Sequence, residues 1–392
     1  MPYQFCAPAN DGGWKSIGLS PEISGGNSGN STNVSANEYS GVVLSSAAQI
    51  RRLRDSAKRL MRTEDTMLSP EFFLASLGKG WGPKVVAVRD AHEVIGILYA
   101  RQRTIKGFPT GVVYADGSLG SVLLTDPLYH KSVFRVAVQA LLASSGIGGM
   151  RLRVLRSSRD FDAVLQFCAC QSLDVRHFDI EDRGSPLWKN HAHVALAETY
   201  DQFLATLGST TRHNFRYYRR RFEASGHRFV EHLSLAELRG ATLGLFPKSE
   251  LTAGSQRSLD RQLESVAAAG RPLTAGLRHN NGDWLSVLGG WYMPDGAAVL
   301  CFQCNDEKDF ARDSLSVVLR AYLIELLIQR GLKELVIWGD TGPPLSRYAS
   351  YASTIEIRLD TTARSWRAVR SILTTVGPHL PKRLAEVVQW VV

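Results

Sequence analysis

Apolar and polar positions alternate along this chain in two rhythms, and the rhythms repeat. Between residues 44 and 62, Ile50, Leu53, Ala57 and Leu60 fall on one stripe among arginines and lysines, which predicts a helix. A first block follows: strands at Val85–Arg89, Val94–Ala100 and Gly111–Tyr114, an apolar helix from about 127 to 145 closed by Gly146, and a strand at Met150–Leu155. A second block has the same order: strands at Leu273–Leu277, Trp284–Leu288 and Ala297–Phe302, a helix over 314–330 closed by Gly331, and a strand at Lys333–Trp338. Glycine after the last apolar turn is a C-terminal stop signal in both copies. Asp126-Pro127 is a start signal for the first copy's helix.

The correspondence predicts a duplicated module, each copy a strand meander, one long helix and a further strand. In the second copy's helix, Leu315, Val318, Leu319, Tyr322, Leu323, Leu326 and Leu327 recur at three- and four-residue steps, which predicts a broad face packed on a sheet. Further helices are expected near 158–171, 199–207, 210–225 and 255–269. The resulting division is 1–43 as a disordered Gly/Asn/Ser-rich segment, 44–197 as the first module, 198–361 as the second, and 362–392 as a basic amphipathic tail. The tail carries Arg367, Arg370, Lys382 and Arg383 among apolar residues, a pattern for packing on its own domain or for peripheral contact with an anionic membrane.

Composition narrows the setting. The chain has 392 residues, enough for two domains, and no apolar run long enough to span a bilayer. Five scattered cysteines do not make a disulfide framework, and no secretory leader is evident, so a reducing, cytoplasmic setting is expected. A net charge of +9 favours a polyanionic partner such as a phosphate-bearing donor or RNA. Cys301 and Cys304 lack further ligands at metal spacing and, three residues apart on a strand, would point to opposite faces; no metal is expected there. His191 and His193 share one face of an expected strand, again without a third ligand.

The segments Tyr200–Leu207 and Thr211–Gly226, the helix 314–330 with Gly331, and Val336-Ile-Trp-Gly-Asp340 with Arg347-Tyr348 resemble one family. The chain is similar to GNAT-superfamily acyltransferases of the BioF2-like group, which is associated with cellulose and exopolysaccharide biosynthesis and is distantly related to Fem-type peptidyltransferases. The resemblance implies an α/β (α+β) fold of two tandem GNAT-like modules, each a mixed, mostly antiparallel sheet with flanking helices. It also implies acyl transfer to an amine. The family's lysine after the tyrosine is replaced here by Ala349.

The expected chemistry falls in the second module. On the helix 210–225, Arg212, Arg216, Arg219 and Glu223 fall on one face, with Arg220 nearby, and Phe215, Tyr218 and Phe222 on the next. The aromatic stripe reads as packing; the basic stripe reads as a phosphate grip or as a solvated face. The junction before the long helix holds Lys308, Arg312 and Ser314, where a GNAT fold receives a pyrophosphate on backbone N–H groups. The family's glycine pattern is missing there, and Asp306, Glu307, Asp309 and Asp313 oppose an anion. In the first module, Gly117-Ser-Leu-Gly-Ser121 is a weaker glycine-bearing loop. Asp340 is a candidate proton acceptor, Tyr348 a candidate proton donor and Gln303 a candidate cleft residue.

These residues support an N-acyltransferase that moves an acyl group from acyl-CoA, acetyl-CoA or longer, to an amine on a small molecule or glycan precursor. A Fem-like enzyme taking aminoacyl-tRNA is a second reading, favoured by the arginines. A non-catalytic GNAT-fold binding protein is a third, favoured by the acidic junction.

Overall fold

In a computed structural model, residues 39–360 are described apart from 62–67, 106–107, 118–119, 157, 171–173, 180–190, 246–252, 294, 307–309, 311, 339–340 and 342–343, with a few more between 371 and 380. Strand β1 (Tyr39–Leu44) comes first, so residues 39–43, expected to be disordered, belong to a strand; residues 1–38 lie outside the described residues. The helical stripe at 44–62 forms two short helices, α1 (Ala47–Arg51) and α2 (Arg54–Leu60). A Ser46/Gln49 capping box starts the first of them. Then come α3 (Pro70–Ser76), β2 (Trp81–Asp90), β3 (Glu93–Ile105), β4 (Phe108–Gly117), β5 (Leu123–Thr125), α4 (His130–Ala143), β6 (Gly149–Leu155), α5 (Arg159–Cys170) and β7 (Asp174–Asp179).

The second half holds β8 (Ala192–Ala195), α6 (Tyr200–Thr206), α7 (Ser209–Ala224), β9 (Arg228–Glu231), α8 (Leu235–Leu245), α9 (Ala253–Ala268), β10 (Pro272–Arg278), β11 (Trp284–Tyr292), β12 (Ala297–Asn305), α10 (Leu315–Gln329), β13 (Glu334–Ile337), β14 (Ser350–Tyr351) and β15 (Thr354–Asp360). Every element of the two expected blocks is present, and Gly146 and Gly331 take the positive φ of 77° and 73° that a helix stop needs. Helix α8 was not anticipated from the pattern.

Two sheets form. The first runs β1-β2-β3-β4-β6-β15-β7, with β5 added beside β3; the second runs β14-β8-β13-β12-β11-β10-β9. Each sheet borrows a strand across the boundary drawn at 197/198. Strand β8 precedes that boundary yet pairs with β13 and β14, and β15 falls within the span expected for the second module yet lies between β6 and β7. The exchange is locked by a buried ion pair, Arg151 Nη1 of β6 to Asp360 Oδ1 of β15 at 2.9 Å.

Helix α10 is buried nearly all round, from Leu315 to Ile328, because sheet two covers one side and α7 another. Phe215 and Phe222 of α7 are buried in that core and Tyr218 packs against it, the role expected of the aromatic stripe. On the other face of sheet two, α8 and α9 close a second core around Trp291, and Phe72 of α3 reaches it from the first module at 5.3 Å between ring centres.

Candidate functional site

The modules are alike in outline but differ where a substrate would enter. In the first, parallel strands β4 and β6 are paired without interruption from Val112↔Gly149 to Gly117↔Val154. The loop above them is filled from within. The Asp160 carboxylate, fully buried on α5, accepts from the Val122 amide at 2.7 Å and the Ser121 hydroxyl at 2.8 Å, and meets His130 at the start of α4 at 2.9 Å. A side-chain carboxylate thus sits where an incoming anion would be held.

In the second module the described pairing of the equivalent strands runs from Ala297↔Glu334 to Leu300↔Ile337, with the Trp338 amide bonded to the Leu300 carbonyl. Just beyond it, β12 departs from a regular ladder. Gly289 pairs with Phe302 and Gly290 with Leu300, so Cys301 is an extra residue, a β-bulge that bends the strand and reverses its alternation. The bulge also corrects the expectation for the cysteines. Cys301 and Cys304 both pack against the core beneath α8 and α9, rather than on opposite faces, because the extra residue restores their phase. Burial pushes both thiols up to about 12.

The reversed phase turns Gln303 toward α10. Its Oε1 accepts from Arg320 Nε at 3.1 Å, and its Nε2 donates to Asn305 Oδ1 at 2.9 Å, which also accepts from the Ser286 hydroxyl at 2.6 Å. Arg320 Nη1 reaches on to the hydroxyl of buried Thr341, beyond the end of β13, at 3.3 Å. A half-buried cation therefore links β12 to the segment that follows β13. Arg320 was not singled out in the sequence because it sits singly among apolar neighbours; only the bulge opposite reveals its place. Asp340, expected at this site, lies outside the described residues, as does Lys308.

The start of α10 has no side-chain cap, and Ser314 there adopts left-handed φ 48°, ψ 47°. Arg312 beside it is exposed, and the Asp313 carboxylate is held by Arg221 of α7 at 2.9 Å. One of the acids expected to repel an anion is thus neutralised by the arginine helix.

The arginines of α7 do not act as one stripe. Arg219 is turned inward, bound to Glu223 at 3.0 Å and Glu325 at 2.8 Å and lying over the Tyr322 ring at 4.3 Å. Burial lowers its pKa, but the two carboxylates outweigh this and raise it. Tyr322 in turn donates to Glu223 at 2.7 Å, which helps to hold that carboxyl below its usual range despite some burial. Arg219 therefore ties α7 to α10 through Glu325 and the Tyr322 ring. Arg216, paired with Asp201 at 3.4 Å, is exposed, as is Arg220, whereas Arg212 is half-buried.

Tyr348 is engaged at the start of α7. Its hydroxyl accepts the Gly208 amide at 2.7 Å and donates to Thr211 Oγ1 at 3.5 Å, capping the first turn of α7. Thr211 and Gly208 together lower its pKa. Arg221, near the other end of this helix, marks the entrance to α10, so at ~1.5 Å of rise per residue Tyr348 lies roughly 20 Å from that entrance. It is not grouped with Gln303.

On the face of sheet two opposite α10, Trp338 closes β13. Its ring centre is 5.4 Å from that of Trp291 and 4.9 Å from that of His191. His191 is buried, and burial, aided by Arg153 and His193 against Asp116, brings its pKa down to about 4. His193 Nδ1 is bonded to Glu334 at 3.1 Å. Among the described residues no group of three or more His, Cys, Asp or Glu is arranged to hold a metal ion, and no helix is long and apolar enough to cross a membrane.

No protein-family model matches the chain, and no curated protein matches it. Solved structures do. The chain is similar to FemX, with TM-score 0.53 and 11% identity over 78% of this chain and 95% of that one. It is similar to a conserved protein of unknown function from Bacteroides thetaiotaomicron, with TM-score 0.51 and 13% identity over 82% and 100%. A tandem GNAT protein from the clavulanic acid biosynthesis pathway aligns with TM-score 0.42 and 12% identity over 82% and 98%. At these identities the likeness is one of fold: the chain shares the two-sheet α/β fold of FemX and of the Bacteroides protein.

Proposed function

We propose that this protein is an N-acyltransferase that moves an acyl group from acyl-CoA to an amine, with the reaction in the second module. The observation that carries the reading is Arg320 tied both to Gln303, just past the β12 bulge, and to Thr341, beyond β13, set against the carboxylate-filled counterpart in the first module. Attack of an amine nitrogen on an acyl carbonyl turns the carbonyl oxygen into an anion, forms the C–N bond and expels the thiolate. Arg320, fixed by Gln303 and Thr341, supplies a preorganised positive charge to that oxygen. The uncapped start of α10, with Arg312 beside it and Asp313 neutralised by Arg221, suits the donor's phosphates. Asp340, placed at this site by the sequence pattern, is the proposed acceptor of the amine's proton. Tyr348 is assigned to holding α7, not to protonating the leaving group.

A second reading takes aminoacyl-tRNA as donor. It is favoured by the outer face of α7, where Arg216, Tyr217 and Arg220 are exposed and His213 stacks on Tyr217 at 5.9 Å. Titration of the full chain with acetyl-CoA, a long-chain acyl-CoA and tRNA in a thermal-shift assay separates the readings. A CoA species at a hundred times its Kd adds about 2.7 kcal/mol of stability. Stabilisation by tRNA alone selects the second reading, and stabilisation by neither selects a non-catalytic binding protein.

A further inference from the structure

Ser286 stands where β11, buried along most of its length, calls for an apolar side chain. It is fully buried on the face of sheet two that α10 covers, two residues from Leu288 of the core beneath that helix. A hydroxyl in such a place costs free energy unless it is bonded. Its partner is Asn305, directly opposite on β12: Ser286 Oγ lies 2.6 Å from Asn305 Oδ1 and 3.1 Å from the Cys304 carbonyl. The same Asn305 oxygen accepts from Gln303 Nε2 at 2.9 Å, and Gln303 Oε1 accepts from Arg320 Nε at 3.1 Å. Four side chains from two strands and a helix form one row.

Donor and acceptor capacity gives the row a single direction. A guanidinium only donates, so Gln303 must turn its oxygen to Arg320 and its amide nitrogen to Asn305. Asn305 must then offer its oxygen to Gln303, and the one hydrogen of the Ser286 hydroxyl goes to that oxygen, the nearer of its two acceptors. Turning over either amide sets two donors against each other. In the reverse sense, Ser286 orients Asn305, and Asn305 holds Gln303 in the orientation that can receive Arg320.

We infer that Ser286 and Asn305 are positioning residues for the acyl transfer, acting through Gln303 to hold the Arg320 guanidinium. Their part in the transfer rests on the acyltransferase reading, but the ordering of Arg320 does not.

Hydrogen exchange of the Arg320 Nε–H, followed by proton–nitrogen NMR on the full chain and identified by its absence from Arg320→Lys, tests the ordering without any substrate. Asn305→Leu and Ser286→Ala should each speed this exchange roughly 3- to 10-fold, the worth of one hydrogen bond, while the backbone amides of α10 keep their rates. Asn305→Asp retains an oxygen that accepts from both neighbours and should exchange as slowly as wild type. With acetyl-CoA and a panel of primary amines, Asn305→Leu and Ser286→Ala should lower kcat by about the same 3- to 10-fold and leave KM for acetyl-CoA unchanged. Asn305→Asp should turn over faster than Asn305→Leu. Unchanged Nε–H exchange in either disrupting variant overturns the inference, as does Asn305→Asp exchanging as fast as Asn305→Leu. Equal acceleration of the α10 backbone amides means local unfolding and overturns it too. Should Asn305→Leu not fold, Ser286→Ala decides alone. The expected exchange pattern in a protein that transfers no acyl group refutes only the acyltransferase reading, and turnover with unaltered exchange refutes only the positioning.

Discussion

Arg320 on α10 and Gln303 on β12 are joined by a 3.1 Å hydrogen bond that exists because of a single inserted residue, Cys301. Without the bulge, Gln303 would face the other side of the sheet and the guanidinium would have no anchor in β12. The pair couples a local defect in a strand to a fixed charge between β12 and the segment that follows β13.

If that charge stabilises an oxyanion, Arg320→Met should reduce kcat for acyl transfer about 100-fold or more, the loss typical of removing one such donor. Gln303→Leu should give a smaller loss, because Thr341 still holds the guanidinium. Both variants should melt within a few degrees of wild type. Equal turnover in Arg320→Met would remove Arg320 from the mechanism.

Tyr348 offers the contrasting case. Its hydroxyl is used at Gly208 and Thr211, so Tyr348→Phe should lower the melting temperature and leave kcat nearly unchanged. A proton donor would behave in the opposite way, with kcat falling and its alkaline limb moving. Steady-state rates across pH 6–10, together with a melt of each variant, decide between them.

The difference between these two residues shows what the sequence discloses. The apolar rhythm located both modules, since 2- and 3.6-residue periods survive in any buried strand or helix. It also set the aromatic stripe of α7 correctly, because Phe215 and Phe222 have no alternative but the core. What it missed depends on contacts between distant segments. Arg219 looked like part of a basic surface until Glu325, far along the chain, was found against it. Strand exchange escaped notice for the same reason: β8 and β15 have ordinary strand patterns, and nothing local states which sheet they join. Arg320 carries no motif at all.

Acid should destabilise the fold through His191. Its pKa is lowered from 6.5 to about 4, chiefly by burial, so between those values the unfolded chain binds the proton and the folded one does not. Stability must therefore fall as pH drops from 6.5 toward 4, by on the order of 2–3 kcal/mol at 1.36 kcal/mol per unit. His191→Asn should flatten this limb in urea melts taken at pH 7, 6, 5 and 4. Some slope should remain, because His227, partly buried against His279, is shifted in the same direction. An unaltered slope in the variant would mean that His191 is not the group that titrates.

The strand exchange makes the modules interdependent. Asp360→Asn leaves the Arg151 guanidinium buried without its carboxylate and should cost about 3–5 kcal/mol, whereas Arg151→Met combined with Asp360→Leu should recover most of that loss. Ending the chain at Ser353 removes β15 from between β6 and β7 and should unfold the first module, visible as lost β-sheet signal in circular dichroism and as aggregation on gel filtration. A truncated protein that melts like wild type would show that the exchanged strand is dispensable.

The bulge itself can be tested through the strand beside it. A Cβ at Gly290 would overlap the Val299 carbonyl oxygen, a backbone atom of β12 that cannot move without breaking the ladder at the bulge. A Cβ at Gly289 would press at 2.5 Å on the ring of Phe302, a side chain with some freedom to turn. Gly290→Ala should therefore be the costlier change, more than about 4 kcal/mol, or should prevent folding, while Gly289→Ala should cost about 1–3 kcal/mol. If Gly290→Ala folds, its register must shift, Gln303 must leave Arg320, and donor-dependent turnover should disappear even where the melt is tolerable. Equal melts and equal turnover for the two variants would show that the close approach of β11 to β12 does not set the placement of Gln303 against Arg320.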